Sequence, residues 1–96
     1  MWQLREGSRP VLTDEGGAIL NERTGRWTYL TPTASAAVLF LLASGDQGQA
    51  SEQYSALYRL SPEQAAADVR AVADALTTQG ISRELVPRTR RWGWWR

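Results

Sequence analysis

Cysteine, histidine and lysine are all missing from this chain of 96 residues. Without cysteine there is no disulfide framework, no thiolate nucleophile and no sulfur-ligated metal site. Without histidine the usual neutral-pH base and the commonest metal ligand are gone as well. Most common enzyme chemistries are thereby excluded, and neither a metal nor a cofactor is expected. The carboxylates that remain do not suggest a catalytic pair, because Asp14, Glu15, Glu22, Asp68 and Asp74 all fit turns or solvated helix faces. Long hydrophobic runs are missing too. The densest apolar stretch, Val38 to Ala43, falls far short of the roughly 20 residues that cross a bilayer, so it reads as buried helix and no stable membrane insertion is expected. The opening Met1-Trp2-Gln3-Leu4-Arg5-Glu6 has no basic start followed by an apolar core. No secretory signal is read there, and a cytoplasmic location is expected.

What is present is a balanced charge. All eleven basic residues are arginine, and ten carboxylates offset them to leave +1. That balance argues against a general polyanion binder. The length allows one compact domain with a modest core.

Residues 1 to 10 mix charge, glycine and proline, and read as a loosely held arm in which Trp2 packs back on the body. From there the pattern predicts three antiparallel strands. Val11-Leu12-Thr13 and Ala18-Ile19-Leu20 flank the turn Asp14-Glu15-Gly16-Gly17. A second turn, Asn21 to Gly25, holds a glycine able to take positive φ and leads into Arg26-Trp27-Thr28-Tyr29-Leu30, rich in aromatic and β-branched residues. Thr31-Pro32 then opens a helix, with threonine as N-cap and proline at the first helical position. Val38, Leu39, Leu41 and Leu42 give that helix a broad apolar face, and Gly45 stops it. A shorter helix is expected over Ala50 to Arg59, with Tyr54, Leu57 and Tyr58 at helical spacing. Ser61-Pro62-Glu63-Gln64 has the layout of a capping box, in which serine caps and glutamine reaches back. The helix it starts runs to about Gln79, with Ala65, Val69, Val72, Ala73 and Leu76 on one face and Gly80 as its stop. Beyond Val86-Pro87 the composition changes to interleaved arginine and tryptophan. The division expected is therefore an arm over 1–10, a domain over 11–86 and a tail over 87–96.

Three strands followed by three helices make an α+β, winged helix-turn-helix-like arrangement. Within it the run Ala18-Ile-Leu-Asn-Glu-Arg-Thr-Gly25-Arg-Trp-Thr-Tyr-Leu30-Thr-Pro-Thr-Ala34 resembles the strand, glycine turn, aromatic strand and Leu-Asn-Pro helix entry of the PqqD family. Asp68-Val69 through Leu76 and Gly80-Ile81 resemble that family's closing helix. Thr31 stands where the family often has asparagine. The resemblance covers about residues 11 to 81. It implies a recognition element for ribosomally made, modified peptides, of the short free-standing kind seen in lasso-peptide pathways. Such an element would bind the leader segment of a precursor and present it to a separate leader protease of cysteine-protease type and an ATP-dependent macrocyclase.

A three-stranded sheet joined in sequence leaves its outer strands with unpaired backbone groups. The third strand is expected to be the open one, taking an extended leader segment through main-chain hydrogen bonds from Arg26, Trp27, Thr28, Tyr29 and Leu30. Trp27 and Tyr29 share one face of it, Thr28 and Leu30 the other, and Leu30 enters the core. On the last helix Val69 and Leu76 point to the core, while Asp68, Val72 and Ala75 form a flank that lines the groove. Thr28→Pro is expected to remove a donor at the open edge. The bland reading of each residue stands beside this one: apolar helix residues are usually core, Asp68 is usually solvated, and Trp27 on a short strand usually just covers the sheet. The tail suits a docking, lipid or nucleic-acid contact, or disorder with ordering on a partner. The rival from another class is a winged-helix DNA-binding regulator. Its recognition helix would carry Glu63, Asp68 and Asp74 against the lone Arg70, a poor match to phosphate, so no nucleic-acid partner is expected.

Overall fold

The computed structural model describes residues 1–13 and 15–84. The chain runs β1 (Trp2–Leu4), β2 (Ser8–Thr13), β3 (Gly16–Asn21), β4 (Arg26–Leu30), α1 (Pro32–Ser44), α2 (Gln47–Tyr58), α3 (Pro62–Thr78) and β5 (Ser82–Glu84). The α+β class is as expected, and so is the run of three sheet strands, β2 to β4, into three helices; β1 and β5 are additional. The antiparallel sheet has the order β2-β3-β4, and a second, two-stranded sheet pairs β1 with β5. Asp14 and the Arg/Trp-rich tail lie outside the described residues.

The second sheet corrects the reading of residues 1–10 as a loose arm. β1 pairs antiparallel with β5, Trp2 opposite Glu84 and Leu4 opposite Ser82. Trp2 is 2% exposed. Its N–H donates to the Gly45 carbonyl at 2.7 Å, and the Arg5 N–H donates to the Ile81 carbonyl at 2.8 Å. Burying an indole of this size is worth about 3–5 kcal/mol against alanine, enough to order a segment whose charges and glycine suggest looseness. The indole Nε1 has no hydrogen-bond partner among the described residues, which takes back part of that gain.

In the larger sheet one face is core. Ile19 is fully buried, and Leu12 and Leu30 pack against the same cluster from either side of it. The register places Leu12, Gly17 and Leu30 in one row. Gly16, at φ +130, has no room for a Cβ, which would stand 2.8 Å from the Leu30 carbonyl. Gly25 takes the positive φ expected of it, +73, closing the β3–β4 turn with its N–H on the Asn21 carbonyl at 2.8 Å.

α1 is capped as its sequence suggests. The Thr31 hydroxyl accepts from the Ala34 N–H at 3.2 Å, so threonine serves as the N-cap. Gly45 ends the helix in the left-handed region, donating to the Leu41 carbonyl. Val38 and Leu41 are buried, but Leu39 and Leu42 are exposed, so the apolar face is narrower than expected. Buried Ser35 ties the helix to the hairpin through the carbonyls of Thr13 and Gly16. α2 begins at Gln47 and not Ala50, because Asp46 is an N-cap, its carboxylate accepting from the Gly48 N–H at 2.9 Å. Tyr54 is buried on its inner side, while Leu57 is exposed.

α3 buries Ala65, Val69, Ala73 and Leu76. Ser61 accepts from the Gln64 N–H at 3.2 Å, but the Gln64 side chain does not reach back to complete the capping box. It donates instead to Asp68 at 2.8 Å, one turn along the helix. The neighbouring carboxylate is the stronger acceptor available to an amide at that position.

Candidate functional site

β4 is an edge strand, paired with β3 alone. Which of its backbone groups face outward follows from the register. The Val11 carbonyl stands 2.7 Å from where a Cβ on Gly17 would lie, and the Leu30 carbonyl 2.8 Å from that of Gly16, so both point into β3. In an antiparallel ladder the N–H and C=O of one residue point the same way, and direction alternates along the strand. Thr28 and Leu30 therefore bond inward to β3, and Trp27 and Tyr29 turn their N–H and C=O outward.

That assignment corrects two expectations. The outward ladder comes from Trp27 and Tyr29 and not from all five residues of Arg26 to Leu30. Thr28→Pro removes a bond inside the sheet, not one at the open edge, because Thr28 faces Ile19 in a pair that exchanges hydrogen bonds.

Side chains alternate across the strand independently of this. Trp27 and Tyr29 stand on the solvent face, 48% and 79% exposed. Arg26, Thr28 and Leu30 share the face toward the helices. Leu30 packs on the core, as expected, and the Thr28 hydroxyl donates to Gln79 Oε1 at 2.8 Å, joining the strand to the last turn of α3. Arg26, Thr28 and Gln79 line a cavity of about 360 Å³ with Asn21, Thr24, Trp27 and Ile81.

On α3 the candidates separate. Val69 is fully buried and Leu76 is 2% exposed, so neither has surface to offer a ligand. Val72 is partly buried against the core, Ala75 is exposed, and Asp68 is half-buried. Asp68, Val72, Ala75 and Gln79 fall on one helical flank, spaced four, three and four residues apart. Gln79 meets Thr28 at one end of it. At the other end the Asp68 carboxylate lies beside the Tyr54 phenol, which also faces the Thr33 hydroxyl near the start of α1. Burial, and then the charge of Asp68, raise the Tyr54 pKa above the ordinary phenol value. The flank and β4 thus border a groove whose two ends are fixed by polar contacts and whose middle is Val72, Ala75 and Leu30.

Gln79, Thr33 and Tyr54 were not among the residues that sequence reasoning selected. For Gln79 a signal was available, since it continues the Asp68, Val72, Ala75 stripe by one turn. Thr33 and Tyr54 reach the site only through the packing of α1 and α2 on α3, which no local pattern encodes.

Among the described residues no group of three histidine, cysteine, aspartate or glutamate side chains comes together to hold a metal. No helix among the described residues is long and apolar enough to cross a membrane.

A family model described as coenzyme PQQ synthesis protein D (PqqD) matches residues 16–81, from the first residue of β3 to the end of α3 and its stop. The chain belongs to the PqqD family. Nothing among the curated proteins matches it. Two solved structures share the PqqD-like fold over nearly the whole domain. One is a lasso peptide synthetase B1 complexed with the leader peptide, 24% identical, with a TM-score of 0.76 over 85% of this chain and 96% of that one. The other is TbiB1 in complex with the TbiA(beta) leader peptide, 17% identical, with a TM-score of 0.76 over 88% of this chain and 99% of that one. At these identities the likeness establishes the fold, and the PqqD match spans both β4 and α3, the two borders of the groove.

Proposed function

We propose that this member of the PqqD family is a recognition element that binds the leader segment of a ribosomally made precursor, in a lasso-peptide pathway. The leader joins the sheet as a further strand on β4, using the outward main-chain groups of Trp27 and Tyr29, and lays alternate side chains into the groove along α3. The observation that carries this reading is the open β4 edge running beside the flank of Asp68, Val72 and Ala75. Both structural neighbours are leader-peptide complexes, which supports it. The backbone ladder supplies affinity that any extended peptide can use, and the groove supplies selectivity.

The element does no chemistry of its own in this reading. With no histidine or cysteine in the chain, cleavage and ring closure fall to separate enzymes, a leader protease of cysteine-protease type and an ATP-dependent macrocyclase. The protein works in the cytoplasm, where precursors are made.

The test is a fluorescence-anisotropy titration of the full chain with labelled peptides tiling the N-terminal half of the precursor encoded beside it, against a duplex-DNA control. Saturable binding of one tile at micromolar concentration or below, with no DNA binding at physiological salt, is the expected result. Salt-sensitive DNA binding without peptide binding would favour a winged-helix regulator and overturn the proposal.

A further inference from the structure

The groove is electrically polar along its length. Arg26 shares the inner face of β4 with Thr28 and Leu30 and borders the cavity at the Gln79 end. Asp68 lies at the opposite end, beside Tyr54 and Thr33, three residues beyond Leu30. The ion pairs of the described residues, Met1 with Glu84 and Arg9 with Glu22, leave neither Arg26 nor Asp68 with a partner of opposite charge. Asp68 is held by Gln64, an uncharged donor that fixes the carboxylate without neutralising it.

The register of β4 decides what these two charges meet. With the Trp27 and Tyr29 main chain bonding an added strand, the added residues opposite Arg26, Thr28 and Leu30 sit in non-hydrogen-bonded pairs, whose side chains approach most closely. Those three added residues face the groove, and the outer two are four positions apart. Opposite charges in such a pair attract and like charges repel, so each end selects.

Resting on the strand-addition reading, we infer that the groove takes a leader segment with a fixed charge order. A hydrogen-bond donor or cation comes first, ahead of the residue opposite Leu30, on the side of Asp68. A small or apolar side chain follows opposite Leu30, against Val72 and Ala75, and a small polar one opposite Thr28, beside Gln79. A carboxylate comes two residues after that, against Arg26. This is the order for a strand added antiparallel, the sense of every other pair in the sheet. The occupant is therefore a peptide of mixed charge, not a uniformly acidic or basic one.

A charge-exchange experiment tests this with the full chain and the tightest-binding 15-residue tile of the neighbouring precursor. Arg26→Glu is expected to weaken the parent tile about tenfold, since an exposed residue is replaced at the mouth of the groove with no cost to the core. Changing the tile's carboxylate opposite Arg26, four residues after the apolar residue opposite Leu30, to lysine is expected to weaken wild-type binding similarly and to restore binding to Arg26→Glu. Asp68→Asn should weaken tiles bearing a cation or donor at the first position and leave a tile with alanine there unaffected. If Arg26→Glu binds the parent tile as wild type does, or the lysine tile gains nothing on the variant, the charge order is overturned while strand addition stands. If no tile binds wild type, both readings fall together.

Discussion

The two edges of the larger sheet are built differently. Both β2 and β4 pair with β3 on one side only. Because the Val11 carbonyl points into β3, Pro10 and Leu12 face their backbones outward, and at Pro10 there is no N–H to offer and a ring in the way of an arriving strand. Arg9, next to it, is engaged by Glu22 at 3.1 Å across the face of the sheet. The β4 edge has no proline and, among the described residues, no ion pair, and it presents Trp27 and Tyr29 with both backbone groups available. Edge strands invite pairing, and proteins commonly blunt them. Here one edge is blunted and the other left open, and the open one runs along the groove. The difference teaches that an accepting edge can be recognised by what its opposite number carries.

The largest expected effect comes from moving proline across that comparison. Thr28→Pro removes a bond to β3 and should cost about 2–3 kcal/mol of stability, read as a lower urea midpoint. Tyr29→Pro places the same residue where its missing N–H faces outward. It should leave the midpoint within about 0.5–1 kcal/mol while weakening leader binding about 10- to 100-fold by anisotropy. Equal loss of stability in the two variants would break the assignment of inward and outward residues. On the α3 side, Ala75→Arg adds bulk to an exposed position of the flank. A loss of about fivefold in affinity with stability unchanged is expected, whereas the same substitution at exposed Ala66, on the opposite side of the helix, should change neither. Pro10→Val probes the blunted edge. It should cost about 0.4–1 kcal/mol through the greater freedom of the unfolded chain, and it should add concentration-dependent self-association in sedimentation that wild type lacks.

The smallest effect concerns the polar end of the groove. Tyr54 has its pKa raised above the ordinary 10.0 by burial and by Asp68. The folded state therefore holds the proton more tightly than the unfolded one, and that contribution is intact below pH 10 and lost as pH rises through the folded-state value. Urea midpoints measured upward from pH 9 should fall more steeply for wild type than for Tyr54→Phe. Parallel curves would show that neither burial nor Asp68 shifts Tyr54.

How far this was legible in the sequence depends on the reach of each signal. The strands around Gly16 and Gly25, the Thr31-Pro32 and Ser61-Pro62 helix starts, and the stops at Gly45 and Gly80 were readable because a turn or a cap is written within four or five residues. The β1–β5 sheet was not. Three-residue strands some eighty positions apart show no period, and only their pairing lets Trp2 be buried. The start of α2 was missed because Asp46 is followed by Gly48, which reads as loop until the cap is seen. At the site, β4 and the Asp68, Val72, Ala75 flank were legible from alternation and helical spacing. Which β4 residues turn their backbones outward was not, since that parity is set by the register of a neighbouring strand.

Amide hydrogen exchange of the full chain, with and without the tightest-binding leader tile, tests the open edge most directly. Slower exchange on binding at the Trp27 and Tyr29 amides, with the outward Leu12 amide of β2 unchanged, is the predicted result. Protection at Leu12, or a saturating tile that leaves Trp27 and Tyr29 exchanging as in the free protein, would contradict it.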